Sequence, residues 1–303
     1  MSNYTRRLLL DARDTLSQLL EKLSTVREKQ YRDSSHNLNE VVAAHLDADG
    51  KFVPSISERA LGDFQFRRIF LPGREGWSET YKAVSHTGVS IYKPASGENL
   101  SNSMAVYFPQ KHGEYAKREV AAYRVNEQLG FSLVPPTAMV DGPKGPGSNQ
   151  QFVPSRPAKA TDMYDELQQQ QMAVLDYIIG NLDRLVRNYR VAPNGDLVAI
   201  DHGSSFPEKP GLGIRSKFVD KFRGVPLGEK VLEHVDAVDV KVFRESLREL
   251  ELSDRAIDGA MERLNEIRSQ RRVIGNNWLA PDYVQDFVDS FRKRLRGPLD
   301  TGP

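Results

Sequence analysis

The chain has 303 residues, and its 42 lysines and arginines against 41 aspartates and glutamates leave a formal charge of +1. That balance excludes the broad basic surface on which generic nucleic-acid binding depends, so no nucleic-acid partner is expected. The lack of cysteine excludes disulfides, thiolate metal clusters and cysteine nucleophiles, while 39 % hydrophobic and 27 % charged residues is the composition of a folded chain.

Residues 6–30 carry Leu9, Ala12, Leu16, Leu19, Leu23 and Val26 in alternating steps of three and four, the stripe of an amphipathic helix. It packs on its own body or serves self-association, and residues 1–61 are expected to form an N-terminal helical extension. The apolar run at Leu8, Leu9 and Leu10 is shorter than a signal peptide needs, and no segment approaches the ~20 apolar residues of a membrane span. A cytoplasmic chain without a transmembrane segment is the expectation. Asp47-Ala48-Asp49-Gly50 resembles a calcium loop only until Lys51, which stands where an oxygen ligand is needed, so a turn is expected there.

From Gln65 the period changes to two. Residues 65–71, 79–84 and 88–93 read as an antiparallel meander. A helix follows over 114–129 and ends at Gly130, then a strand over 137–140. The glycines and prolines of residues 141–147 read as a loop lacking phosphate-loop spacing. A strand over 149–153 and a linker over 154–160 precede a helix over 164–179, whose inward face carries Leu167, Met172, Leu175 and Ile179. Strands over 189–192 and 197–200 flank the hairpin turn Pro193-Asn194-Gly195-Asp196, and helical periodicity holds from Leu227 through Val284, Phe287, Val288, Phe291 and Leu295. The order gives an α+β chain with a strand-rich lobe over 62–153 and a helical lobe over 154–303.

Asp183, Asn188 five positions on, and Asp201 after the hairpin supply the parts of phosphoryl transfer. One carboxylate can deprotonate an acceptor hydroxyl, while an amide oxygen and a second carboxylate hold a hard cation against phosphates. Each alone also reads as a turn or cap former. Lys93 ends an apolar strand, where a buried ammonium needs an anion, and Glu119 on the next helix can reach it; either alone reads as a surface charge. Gly73, Gly76 and Ser78 lie in a turn whose amides could cover phosphates. The six histidines show no metal-binding spacing, Ser204-Ser205 lacks the turn of a hydrolase nucleophile, and Arg292-Lys293-Arg294 with Arg296 suits a helix C-terminus.

Ile91-Tyr92-Lys93-Pro94, Glu119 in Arg118-Glu119-Val120, Leu133-Val134-Pro135-Pro136, Asp183-Arg184 with Asn188, and Asp201-His202-Gly203 together resemble the phosphatidylinositol 3/4-kinase-like branch of the protein-kinase superfamily. The likeness is nearest to a bacterial, largely actinobacterial, group and covers residues 65–225. It implies a two-lobed protein-kinase-like fold and ATP- and magnesium-dependent transfer to a hydroxyl of a protein, small molecule or lipid headgroup. It also implies Lys93 on the nucleotide phosphates, Glu119 positioning that lysine, Asp183 as base, Asn188 and Asp201 as magnesium ligands, and Gln151, Phe152 and Val153 as the adenine-contacting hinge. The chain departs from the pattern at Leu185, where the eukaryotic branch usually has histidine, and in its short turn around Gly73 and Gly76. No docking motif follows Gly203, and Lys209, Arg215, Lys217, Lys221 and Arg223 in residues 204–224 face an anionic acceptor or solvent. The alternatives are a pseudokinase, a nucleotide-binding interaction module, or transfer of AMP on the same fold.

Overall fold

Asp47 closes a small ribbon between β1 (His45–Leu46) and β2 (Phe52–Val53): its Oδ1 accepts the amides of Asp49 and Lys51 at 2.9 Å, and Gly50 takes φ +75°. This is the turn expected from the sequence. The computed structural model describes residues 43–71, 79–101, 107–159, 162–209 and 214–275. The chain divides into units Met1–Ala43 and Ala44–Pro303. The stripe of residues 6–30, the turn bearing Gly73, Gly76 and Ser78, and the C-terminal pattern from Val284 to Leu295 lie outside the described residues.

A short helix, α1 (Ile56–Gly62), follows the ribbon, its N-terminus capped by the Ser55 hydroxyl. Then comes a five-stranded antiparallel sheet of order β3-β4-β5-β7-β6, built from β3 (Arg68–Phe70), β4 (Tyr81–Val84), β5 (Val89–Pro94), β6 (Thr137–Gly142) and β7 (Gly145–Gln151). The first three are the expected meander. In β5, alternation buries Ser90, Tyr92 and Pro94 and leaves Ile91 and Lys93 on the other face. Tyr92 joins Leu61, Phe64, Tyr81, Ala83, Ala138 and Val140 in a core beneath α1.

The loop expected over residues 141–147 is instead mostly sheet. Asp141 pairs with Pro146 and Gly142 with Gly145, so only Pro143 and Lys144 turn the chain. Glycine here marks close backbone approach: a Cβ on Gly147 would lie 2.2 Å from the Lys93 carbonyl oxygen.

Helix α2 (Glu114–Gln128) is buried on nearly every face. The Glu98 carboxylate accepts the amides of Gly113 and Ala116 at 2.8 Å, closing the N-terminus of the helix where exposed N–H groups favour an anion. Arg124 fastens its far end, bonding to the Glu58 carboxylate at 2.6 Å, to Glu249 at 2.7 Å and to the Ser246 carbonyl at 2.6 Å.

After β7 comes a strand the sequence did not suggest. Residues 154–160, expected as linker, contain β8 (Arg156–Pro157), which pairs with β9 (Tyr189–Val191), itself paired with β10 (Leu197–Ala199). Helix α3 (Glu166–Ile179) is buried continuously from Met172 to Ile179 and stops at Gly180 with φ +62°. Helices α4 (Lys217–Phe222) and α5 (Glu229–Ala237) pack against it, α6 (Val240–Glu249) packs on α2, and α7 (Asp254–Gln270) touches both α3 and α6. Phe218, Val219 and Phe222 anchor α4 in the core, so the second half of residues 204–224 is a packed helix rather than a solvated loop. No helix among the described residues is long and apolar enough to cross a membrane.

Candidate active site

Lys93 leaves β5 on the face opposite Tyr92 and meets two carboxylates. Its Nζ donates to Glu119 Oε1, from α2, and to Asp201 Oδ1 at 2.9 Å. Burial favours the neutral amine, but the charges of Asp201 and Glu119 outweigh it and hold the ammonium above its ordinary pKa. Glu119 shows the converse: burial opposes ionisation, and the Lys93 charge overcomes it and keeps the carboxylate well below its usual range. The second oxygen of Glu119 accepts the His202 amide at 2.8 Å, so one carboxylate fixes both the lysine and the chain after Asp201.

Asp201 has φ +59°, a left-handed conformation that aspartate tolerates better than most residues. The chain then passes close to α2, since a Cβ on Gly203 would lie 3.1 Å from Tyr115 Cβ. His202 is wholly buried, as expected of a packing residue, and neither ring nitrogen has a hydrogen-bond partner among the described residues. Burial lowers its pKa and keeps the ring neutral.

Asp183 and Asn188 sit on the loop after α3. The Asp183 amide donates to Asn181 Oδ1 at 2.9 Å, and its Oδ2 accepts from Asn188 Nδ2 and Arg187 Nη2, each at 3.1 Å. Burial raises the Asp183 pKa against the opposing effects of Arg187 and Asn188, the direction that suits a proton acceptor.

Beneath this loop lies a pair that sequence reasoning did not single out. Asp176 and Arg184 are both wholly buried, with Arg184 Nε at 3.1 and 3.2 Å from the two carboxylate oxygens. Arg184 Nη1 donates to the carbonyls of Asn188 and Ile200, while Asp176 also accepts from Asn181 Nδ2 at 3.0 Å and Ser216 Oγ at 2.7 Å. Three chain segments are thus tied to one buried ion pair. The available sign was an aspartate inside the apolar run Leu175 to Ile179, because a charge in a core demands a partner.

Lys93, Glu119, Asp183, Asn188 and Asp201 line a single cleft of about 1070 Å³, together with Gln151, Phe152 and Val153 where the chain leaves β7. Lys82 Nζ lies 4.5 Å from the centroid of the Phe152 ring. The donor set suits magnesium. Asn188 commits its amide nitrogen to Asp183 and keeps the oxygen as acceptor, Asp201 supplies a half-exposed carboxylate, and both are hard oxygen donors. No group of three His, Cys, Asp or Glu side chains suited to a metal occurs among the described residues. Two protein ligands match an ion that retains water and phosphate oxygens.

Residues 112–256 match the family described as Phosphatidylinositol 3- and 4-kinase, a span that holds Glu119, Asp183, Asn188 and Asp201 but not Lys93. Protein Rv2133c of Mycobacterium tuberculosis (strain ATCC 25618 / H37Rv) is similar at 30 % identity over 37 % of this chain and 52 % of its own length. The chain therefore spans about half the length of the curated relative it matches. Among solved structures, the Helicobacter pylori proinflammatory kinase CtkA is similar at 12 % identity and a TM-score of 0.47, over 75 % of this chain and 98 % of that one. The Golgi casein kinase is similar at 15 % identity and a TM-score of 0.46, over 71 % of this chain and 73 % of that one. The class is a kinase-like α+β chain. Its likeness is to the phosphatidylinositol 3/4-kinase-like branch, as the motif order in the sequence implied.

Proposed function

We propose that the protein is an ATP- and magnesium-dependent phosphotransferase acting on a hydroxyl-bearing acceptor. The observation that carries this reading is the convergence of Lys93, Glu119, Asp183, Asn188 and Asp201, drawn from β5, α2 and the two segments flanking the β9–β10 hairpin, on one cleft. Lys93, kept charged by its two carboxylates, neutralises phosphate oxygens, and Glu119 holds it in register. Gln151, Phe152 and Val153 contact the adenine. Asn188 and Asp201 hold magnesium, which when bound orients the phosphates and offsets their charge. Asp183, whose pKa burial raises, accepts the proton of the attacking hydroxyl. The acceptor is a protein side chain, a small molecule or a lipid headgroup, since these residues address the donor. The compartment that goes with this reading is the cytoplasm, which supplies ATP and magnesium.

A nucleotide-binding module without transfer is the second reading, favoured by Leu185 where the eukaryotic branch usually has histidine. Calorimetric titration of ATP with and without magnesium, followed by mass spectrometry of the protein and of offered acceptors, separates the two. Magnesium-dependent binding with an added phosphoryl mass supports phosphotransfer; an adenylyl mass assigns AMP transfer, and binding with neither assigns the module.

A further inference from the structure

Phosphoryl transfer spreads negative charge over the oxygens of the transferring group, and that charge needs a cation on the acceptor side of the site. Lys93 is already tied to Glu119 and Asp201. Two positions after Asp183 stands Leu185, whose side chain can contribute no charge. Arg184 is spent on Asp176, and Arg190 on the Ser155 hydroxyl at 2.8 Å and carbonyl at 2.6 Å. Arg215 lines the same cleft and reaches Asp183 only through its longer-range charge.

Arg187 differs from all of these. It lies on the turn at Val186–Asn188, its Nη2 is 3.1 Å from Asp183 Oδ2, and its side chain is 57 % exposed. Its guanidinium therefore stands against the proposed base without being committed to the core. Asp183 does not need it for placement, because Asn181 and Asn188 already fix that residue. An exposed pair of this kind contributes little to stability, so folding does not account for its position.

Building on the phosphotransferase reading, we propose that Arg187 is the catalytic cation of the transfer. The acceptor oxygen forms a bond to the γ-phosphorus as the bond from that phosphorus to the β–γ bridging oxygen breaks, and the electron pair leaves with ADP. The hydroxyl proton passes to Asp183. The planar guanidinium of Arg187, exposed and beside Asp183, turns its paired N–H groups to the phosphoryl oxygens as their charge develops. Arg187 stays charged throughout.

Arg187→Met, Arg187→Lys and wild-type full-length protein test this, with turnover read as ATP hydrolysis and self-phosphorylation. Arg187→Met lowers kcat by roughly 10²–10³-fold, the loss seen when one transition-state donor is removed. Binding of magnesium–ADP, measured by calorimetry, stays close to wild type, whereas binding of magnesium–ADP–fluoroaluminate, which mimics the planar phosphoryl group, weakens by a comparable factor. Added guanidinium ion restores part of the turnover of Arg187→Met, and Arg187→Lys retains more activity than Arg187→Met. A merely structural arginine would give neither the rescue nor the selective loss of the fluoroaluminate complex. Wild-type turnover and an undiminished fluoroaluminate complex in Arg187→Met would overturn this inference alone. Absence of both turnover and the complex in the wild type would overturn the phosphotransferase reading and this inference with it.

Discussion

Glu119 is the carboxylate on which the rest of the cleft is aligned, because its two oxygens separately hold the Lys93 ammonium and the His202 amide. Lys93 keeps its folded pKa below the ordinary carboxylate value, so the folded state binds fewer protons there than the unfolded one. The stabilisation is therefore present above the unfolded glutamate value of about 4.3 and is lost as pH falls through and below it. Denaturant unfolding of wild type and Glu119→Gln checks this. The stability gap is expected to be wide at neutral pH and narrower in acid, whereas a gap that widens in acid contradicts the pairing. Asp176 makes the corresponding case beneath the loop that bears Asp183. Asp176→Ala strands the Arg184 guanidinium in the core, and breaking such a pair costs about 3–5 kcal/mol. A fall in the urea midpoint with an unchanged m-value measures it, and a midpoint within error of wild type would show that the buried pair does not organise the loop.

Strands β5 and β7 and helix α2 decide where Lys93 meets Glu119. Strands β5 and β7 approach so closely at Gly147 that a methyl group there collides with the Lys93 carbonyl. Gly147→Ala must push the strands apart at the residue that carries the lysine, so it is expected to lower the melting temperature and weaken nucleotide binding together. Thermal unfolding and calorimetry on the same sample check that; loss of stability with full nucleotide affinity would separate the strand contact from the site. The strands and α2 were legible because their periods are clean: two through Tyr81, Ala83, Ser90 and Tyr92, and a long helical segment from Glu114. Helices α1 and α4 were not, because seven and six residues give too little periodicity to stand out from loop. Strand β8 was missed for a different reason: Arg156-Pro157 has no strand propensity of its own and is ordered by pairing with β9.

Within the unit Ala44–Pro303, α2 joins segments far apart in the chain, with Glu98 at one end and Arg124 reaching Glu58, Ser246 and Glu249 at the other. Lys93, Glu119, Asp183, Asn188 and Asp201, which line one cleft, could be picked out from the sequence because phosphoryl transfer, the function proposed, needs these residue types in this order. Asp176 with Arg184, and Arg187 beside Asp183, depend on tertiary contacts that no spacing rule announces. Under the proposed function the cleft divides its labour between holding metal–nucleotide and accepting a proton. The direct measurement is calorimetric binding of magnesium–ATP, paired with single-turnover kinetics, for wild type, Asp201→Asn and Asp183→Asn. Asp201→Asn is expected to weaken magnesium-dependent binding, because it removes the carboxylate charge beside the phosphates. Asp183→Asn is expected to leave binding nearly intact and slow transfer by roughly 10²–10⁴-fold, as for loss of a positioned base. If Asp183→Asn abolishes nucleotide affinity while Asp201→Asn leaves it untouched, the assignment of the two carboxylates is contradicted.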